Sequence, residues 1–136
     1  MTDALGRVLV VDDEPQLNAM LCDALADMQY DVKGALDGAR ALEMIPVFQP
    51  NLVLLDLHMR GMPGLEVLDH LRRDWPAIPV IVVSGDAGQD VARRTLRKGA
   101  QNYVTKPFNL DVLRQVVGDA LAQQPRATSE DRDPGR

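Results

Sequence analysis

The sequence holds a single cysteine, Cys22, in 136 residues. No intrachain disulfide is then possible, and a reducing compartment is expected. No apolar run reaches the roughly 18 residues that a membrane span needs. The first residues, MTDALGR, lack the pattern of a secretion signal. A cytoplasmic location with no membrane contact is therefore expected. There is no excess of positive charge: 15 Lys and Arg against 20 Asp and Glu give a formal net charge of -5. That balance disfavours direct nucleic-acid or anionic-membrane binding by this chain. No sequence repeat at a solenoid period is present. The last 14 residues, QQPRATSEDRDPGR, contain no Val, Ile, Leu, Met or aromatic residue. Residues 123–136 are accordingly expected to form a disordered tail or the start of a linker. Residues 1–122 have the length of one domain with one core.

Within those residues, two periodicities alternate. RVLVV (Arg7 to Val11) reads as a short buried strand. The segment after it carries Leu17, Met20, Leu21, Ala24, Leu25 and Met28 along one helical face, with Pro15 suited to the first turn. YDVKGA (Tyr30 to Ala35) reads as a strand, and DGARALEMI as a helix with Asp37 as N-cap, shortened or bent by Pro46. LVLLD is a strand, followed by the helix GLEVLDHLRRDW with Leu65, Leu68, Leu71 and Trp75 on one side. PVIVVS is a strand, followed by QDVARRTLRKG, a helix ended by Gly99. NYVT and LDVLRQVVGDALA form the last pair. Five strand-plus-helix units imply parallel strands with right-handed crossovers and helices on both sheet faces. Near-continuous apolar strands fit that burial. The expected fold is α/β, a doubly wound five-stranded parallel sheet of order 2-1-3-4-5.

In such a sheet, ligands bind beyond the carboxyl ends of the strands, near the point where strand order reverses. Asp12, Asp13 and Glu14 follow the first strand, Asp56 the third, Ser84, Gly85 and Asp86 the fourth, and Lys106 and Pro107 the fifth. The second strand, at the sheet edge, ends in GAL and carries nothing reactive. Taken singly, each residue has an ordinary reading. Asp56 could close a turn, Asp12 or Asp13 could cap a helix, and Lys106 and Ser84 could be surface and turn residues. Their collection on one rim gives the sharper reading. Asp12, Asp13 and Asp56 carry about −3 when ionised, and neighbouring carboxylates raise one another's pKa unless something neutralises them. Carboxylates, a backbone carbonyl and waters are the ligand set that Mg²⁺ prefers. Lys106 and the Ser84 hydroxyl offer a charge and a donor to phosphate oxygens. A carboxylate so placed can act as a nucleophile and form an aspartyl phosphate.

VLVVDDE, LVLLDLHMRGMPG, VIVVSG and GAQNYVTKPF, in this order and spacing, resemble the motifs of the response-regulator receiver domain of two-component signalling. The resemblance covers roughly residues 6 to 122 and implies a flavodoxin-like (βα)5 fold. It implies that Asp56 accepts a phosphoryl group from the phosphohistidine of a sensor histidine kinase or phosphotransfer protein. Asp13, Asp56 and the His58 carbonyl would ligate Mg²⁺, with Asp12 acting mainly through a bound water. Ser84 and Lys106 would hold the phosphoryl group, and the peptide before Pro107 would be cis. Ser84 and Tyr103 would form the switch. The fourth helix, fifth strand and fifth helix would form the output surface, also available for homodimerisation. An output domain in a longer chain is a further implied partner. No enzymatic activity is implied beyond self-phosphorylation with Mg²⁺ and autodephosphorylation.

The chain departs from the family pattern at two places. Many receivers have Pro where Arg60 stands, which bears on loop stiffness and partner contact, not on the chemistry. Gln101 and Asn102 replace the acidic pair that precedes the switch tyrosine in the winged-helix subfamily and supports its cross-dimer salt bridges. His58 overlooks the expected phosphate and is a candidate for tuning its hydrolysis. His70 and Cys22 read as structural. The basic run Arg93 to Lys98 reads as a solvated helix face, with kinase docking or output as the alternative. Two competing functions remain. A phosphatase with an aspartate nucleophile needs an acid two residues on, where this chain has His58. A phosphorylation-independent pseudo-receiver has no need of the intact set Asp12, Asp13, Asp56, Ser84 and Lys106.

Overall fold

The computed structural model describes residues 5–86 and 88–122, and the expected tail or linker lies outside them. Strands and helices alternate along the chain as β1 Arg7–Val11, α1 Pro15–Asp27, β2 Asp31–Ala35, α2 Gly38–Phe48, β3 Leu52–Leu55, α3 Gly64–Asp74, β4 Val80–Ser84, α4 Gln89–Arg97, β5 Asn102–Thr105 and α5 Leu110–Ala122. All strand pairs are parallel, in the order β2-β1-β3-β4-β5. The doubly wound arrangement is the one expected. Val11 is level with Leu55 on one side and Ala35 on the other, and Ser84 is level with Thr105. Among the described residues, no helix is long and apolar enough to cross a membrane.

Period-two alternation of the strands sorts the core into two layers. Leu9, Val11, Val53, Leu55, Val80 and Val82 pack with α2 and α3 residues such as Ile45, Leu68 and Leu71. Val8, Val10, Leu52, Leu54, Ile81 and Val83 pack with Leu21, Leu25, Leu113 and Val117 from α1 and α5. Each of these side chains stabilises by roughly 1.5–3 kcal/mol when fully buried. β1, β3 and β4 are therefore the least deformable parts of the molecule. β2, at the edge, is mostly exposed.

The helices follow local sequence with three corrections. Asp37 caps α2 through its side chain, which accepts from the Arg40 N–H at 2.7 Å. Pro46, however, does not shorten α2, which runs on to Phe48. The proline lies in the last turn, where it forfeits one intrahelical bond and little else. Met20 is half exposed rather than part of the α1 stripe, and Asn18 is buried in its place. Neither Asp12 nor Asp13 caps α1; Glu14 is the N-cap residue, and Pro15 opens the helix as expected. Gly99 follows α4 with φ +110°, the left-handed conformation that ends a helix.

Gly64 sets how closely α3 approaches the end of β3. A Cβ there would lie 2.3 Å from the Asp56 carbonyl oxygen and 2.5 Å from Leu57 Cα. Both are backbone atoms and cannot swing aside. The Gly64 N–H donates to the Leu57 carbonyl at 2.9 Å, closing the turn that carries the chain from strand to helix. Gly64→Ala is expected to lower stability by about 1–3 kcal/mol, measured as a fall in the urea midpoint at unchanged slope.

Candidate functional site

Ladder bonds continue past the strands and fix the residues on the rim. The Asp56 N–H donates to the Val11 carbonyl at 2.9 Å, Asp12 to Ala35 at 3.1 Å, and Lys106 to Ser84 at 2.7 Å. Carboxylate oxygens of Asp12, Asp13 and Asp56 consequently lie within 4.8 Å of one another. Lys106 reaches over from β5, its Nζ 3.2 Å from Asp12 Oδ2 and 3.6 Å from Asp56 Oδ1. The peptide between Lys106 and Pro107 is cis. Asp12 and Asp56 are buried, and Asp13 is half-buried. These residues, expected on one rim from the strand ends, come together in one cluster.

Burial dominates the electrostatics of Asp56 and raises its pKa above the ordinary carboxylate value. The Lys106 charge pulls it down, Asp12 pushes it up, the His58 N–H pulls it down, and Asp13 adds a smaller upward push. Every carboxylate in the cluster has a donor nearby. Asp12 Oδ1 accepts from the Glu14 N–H at 3.0 Å, and Asp56 Oδ1 from the His58 N–H at 3.5 Å. Asp13 Oδ2 accepts from the Arg60 N–H at 3.0 Å and lies 3.5 Å from Arg60 Nε. An all-oxygen, anionic donor set of this kind fits a hard divalent cation better than a softer transition metal.

On the β4 side, Ser84 is fully buried and its Oγ accepts from the Asp86 N–H at 3.2 Å. The Asp86 carbonyl in turn accepts from the Tyr103 hydroxyl at 2.6 Å. Tyr103 is half-buried against the layer formed by α2 and α3. The His58 side chain stands exposed, its Nε2 3.9 Å from Asp86 Oδ2.

Asn18 was not legible as a site residue. Its Nδ2 donates to the carbonyls of Asp12 at 3.0 Å and Ala35 at 2.9 Å, and approaches that of Val10 at 3.4 Å. It thereby ties α1 to the ends of β1 and β2. Gly34 leaves the space, since a Cβ there would lie 2.1 Å from Asn18 Oδ1. The signal was present: positions 18, 21 and 25 share a helical face, and only the first is polar. The GAL end of β2 is thus a backbone partner of the site, although its side chains carry no chemistry.

The sequence profile described as the response regulator receiver domain matches residues 8–118. The chain belongs to that family. The receiver domain is 36% identical over 116 residues to the nitrogen assimilation regulatory protein NtrX of Azorhizobium caulinodans, covering 84% of this chain and 26% of that protein. It is 42% identical over 104 residues to the transcriptional regulatory protein KdpE of Mycobacterium tuberculosis, covering 76% of this chain and 46% of that one. The crystal structure of the receiver domain of NtrX from Brucella abortus superposes with a TM-score of 0.81 at 34% identity, covering 85% of this chain and 98% of the other. The receiver domain thus spans between a quarter and a half of these two regulators.

The raised pKa of Asp56 makes a signed prediction. A carboxyl whose folded pKa lies above its unfolded value stabilises the fold at low pH, and this contribution is lost as pH rises through the folded pKa. Asp56→Asn is therefore expected to stabilise the metal-free receiver at neutral pH by about 0.5–2 kcal/mol. The gain should shrink as pH falls toward about 4, read as the difference in Tm between the two proteins across a pH series.

Proposed function

We propose that this receiver domain accepts a phosphoryl group on Asp56 from the phosphohistidine of a sensor histidine kinase or phosphotransfer protein, with Mg²⁺. The observation that carries the reading is the convergence of Asp12, Asp13, Asp56 and Lys106 in one cluster. Asp13, Asp56 and the His58 carbonyl would ligate Mg²⁺ directly, with Asp12 acting through water. A bound Mg²⁺ supplies positive charge to the carboxylates and to the phosphoryl oxygens. An Asp56 carboxylate oxygen forms the new bond to phosphorus as the bond to the imidazole nitrogen breaks, and the electron pair leaves with the imidazole. Lys106 offsets charge on the transferred group, and the Ser84 hydroxyl donates a hydrogen bond to it.

The switch reading assigns the response to Ser84 and Tyr103. Both already bond to Asp86, one through its N–H and the other through its carbonyl. A movement of Ser84 toward a phosphoryl group therefore changes the contacts available to the tyrosine hydroxyl. The equilibrium between two arrangements is biased by the new phosphate contact. α4, β5 and α5 form the surface that presents the change, to a second copy or to an output domain. The single half-buried thiol fits a cytoplasmic setting. The intact acidic cluster, Ser84 and Lys106 argue against a phosphorylation-independent interaction module, and the exposed His58 offers no carboxylic acid for a phosphatase cycle.

The test is intact mass after incubation with Mg²⁺ and a small acyl phosphate. One phosphoryl group is expected on the wild type and none on Asp56→Asn. A wild type that stays unmodified, or a variant that still gains the group, overturns the assignment.

A further inference from the structure

Arg60 sits in the turn between β3 and α3, where its N–H and Nε both face Asp13 Oδ2 at 3.0 and 3.5 Å. Lys106 Nζ spans the other two carboxylates. Each member of the acidic cluster therefore already faces a cation supplied by the chain. Three carboxylates with two cations sum to −1, not −3, before any metal arrives. The two cations differ in kind. The Lys106 side chain is 21% exposed, whereas Arg60 is 90% exposed and reaches Asp13 from solvent. Arg60 has no other ion-pair partner among the described residues. Asp13 is also the most exposed of the three acids, so a cation entering the cluster from solvent meets this pair.

We propose that Arg60 is a built-in counter-ion of Asp13 that competes with the divalent cation and raises the Mg²⁺ concentration at which the site fills. The proposal rests on the metal-site reading above and adds the residue that sets its affinity. A dication drawing on Asp13 must either displace the guanidinium or tolerate a positive charge a few ångströms away, and both weaken binding. Proline, frequent at this position in the family, would offer neither the side-chain charge nor the N–H. Exposed ion pairs are worth little and are screened by salt. The effect is accordingly a modest change in affinity and not a loss of the site.

The experiment is an amide chemical-shift titration of the full chain with MgCl₂ at low ionic strength, comparing wild type, Arg60→Ala and Arg60→Lys. Arg60→Ala is expected to bind Mg²⁺ about two- to fivefold more tightly than wild type, and Arg60→Lys to stay near wild type. The gap should narrow at about 0.5 M salt. Retained amide dispersion before metal is added shows that each variant is folded. Equal affinities of wild type and Arg60→Ala overturn the proposal while leaving the metal site standing. Absence of saturable shifts around Asp13 and Asp56 in every protein overturns the metal-site reading, and the role of Arg60 with it.

Discussion

Two carboxylates, Asp12 and Asp56, are buried side by side at the ends of adjacent parallel strands. Neither can retreat. The Asp56 N–H is held by Val11, that of Asp12 by Ala35, and the apolar layers above and below lock both strands. Desolvation and like-charge repulsion oppose this placement, which is why the Asp56 pKa is raised. The rest of the site follows from that tension. Lys106 bridges the two acids, main-chain N–H groups of Glu14 and His58 support their oxygens, and the cluster is left poised for added positive charge. Stability is given up locally so that two buried carboxylates are held in place with their charge only partly balanced.

Most of the architecture was legible because parallel sheets write themselves plainly. Strands buried on both faces read as VLVV and VIVV, crossover helices read at a period of 3.6, and the chemistry falls where strands end. Asp12, Asp13, Asp56, Ser84 and Lys106 are placed on one rim in this way. What escaped was whatever depends on where a side chain turns. Asn18 looks like a surface residue by type, yet the stripe it shares with Leu21 and Leu25 places it beneath three carbonyls. Arg60 was visible only as a departure from proline, and its approach to Asp13 depends on how the turn after β3 folds. Pro46 carried a general penalty that its place in the last turn of α2 largely removes.

Asp86 is an unassuming residue that joins Ser84 to Tyr103. Its N–H is on Ser84, its carbonyl is on Tyr103, and its side chain accepts from the Gly88 N–H at 2.9 Å. The contacts with Ser84 and Gly88 lie within the short connection between β4 and α4, and the third crosses to β5. Ser84, Tyr103 and Gly88, the residue before α4, thus share Asp86 as a common hydrogen-bond partner.

The chain's only tryptophan, Trp75, closes α3 at the rim where the strands begin, its ring packed partly against the α2 and α3 layer. Asp56 and Ser84 belong to the opposite rim, which the Tyr103 hydroxyl reaches at Asp86. Intrinsic indole emission thus reports first on whether α3 and its neighbours hold together at the rim away from the aspartates. A spectroscopic handle on the aspartates themselves has to come from Tyr103 or from a chromophore introduced near it.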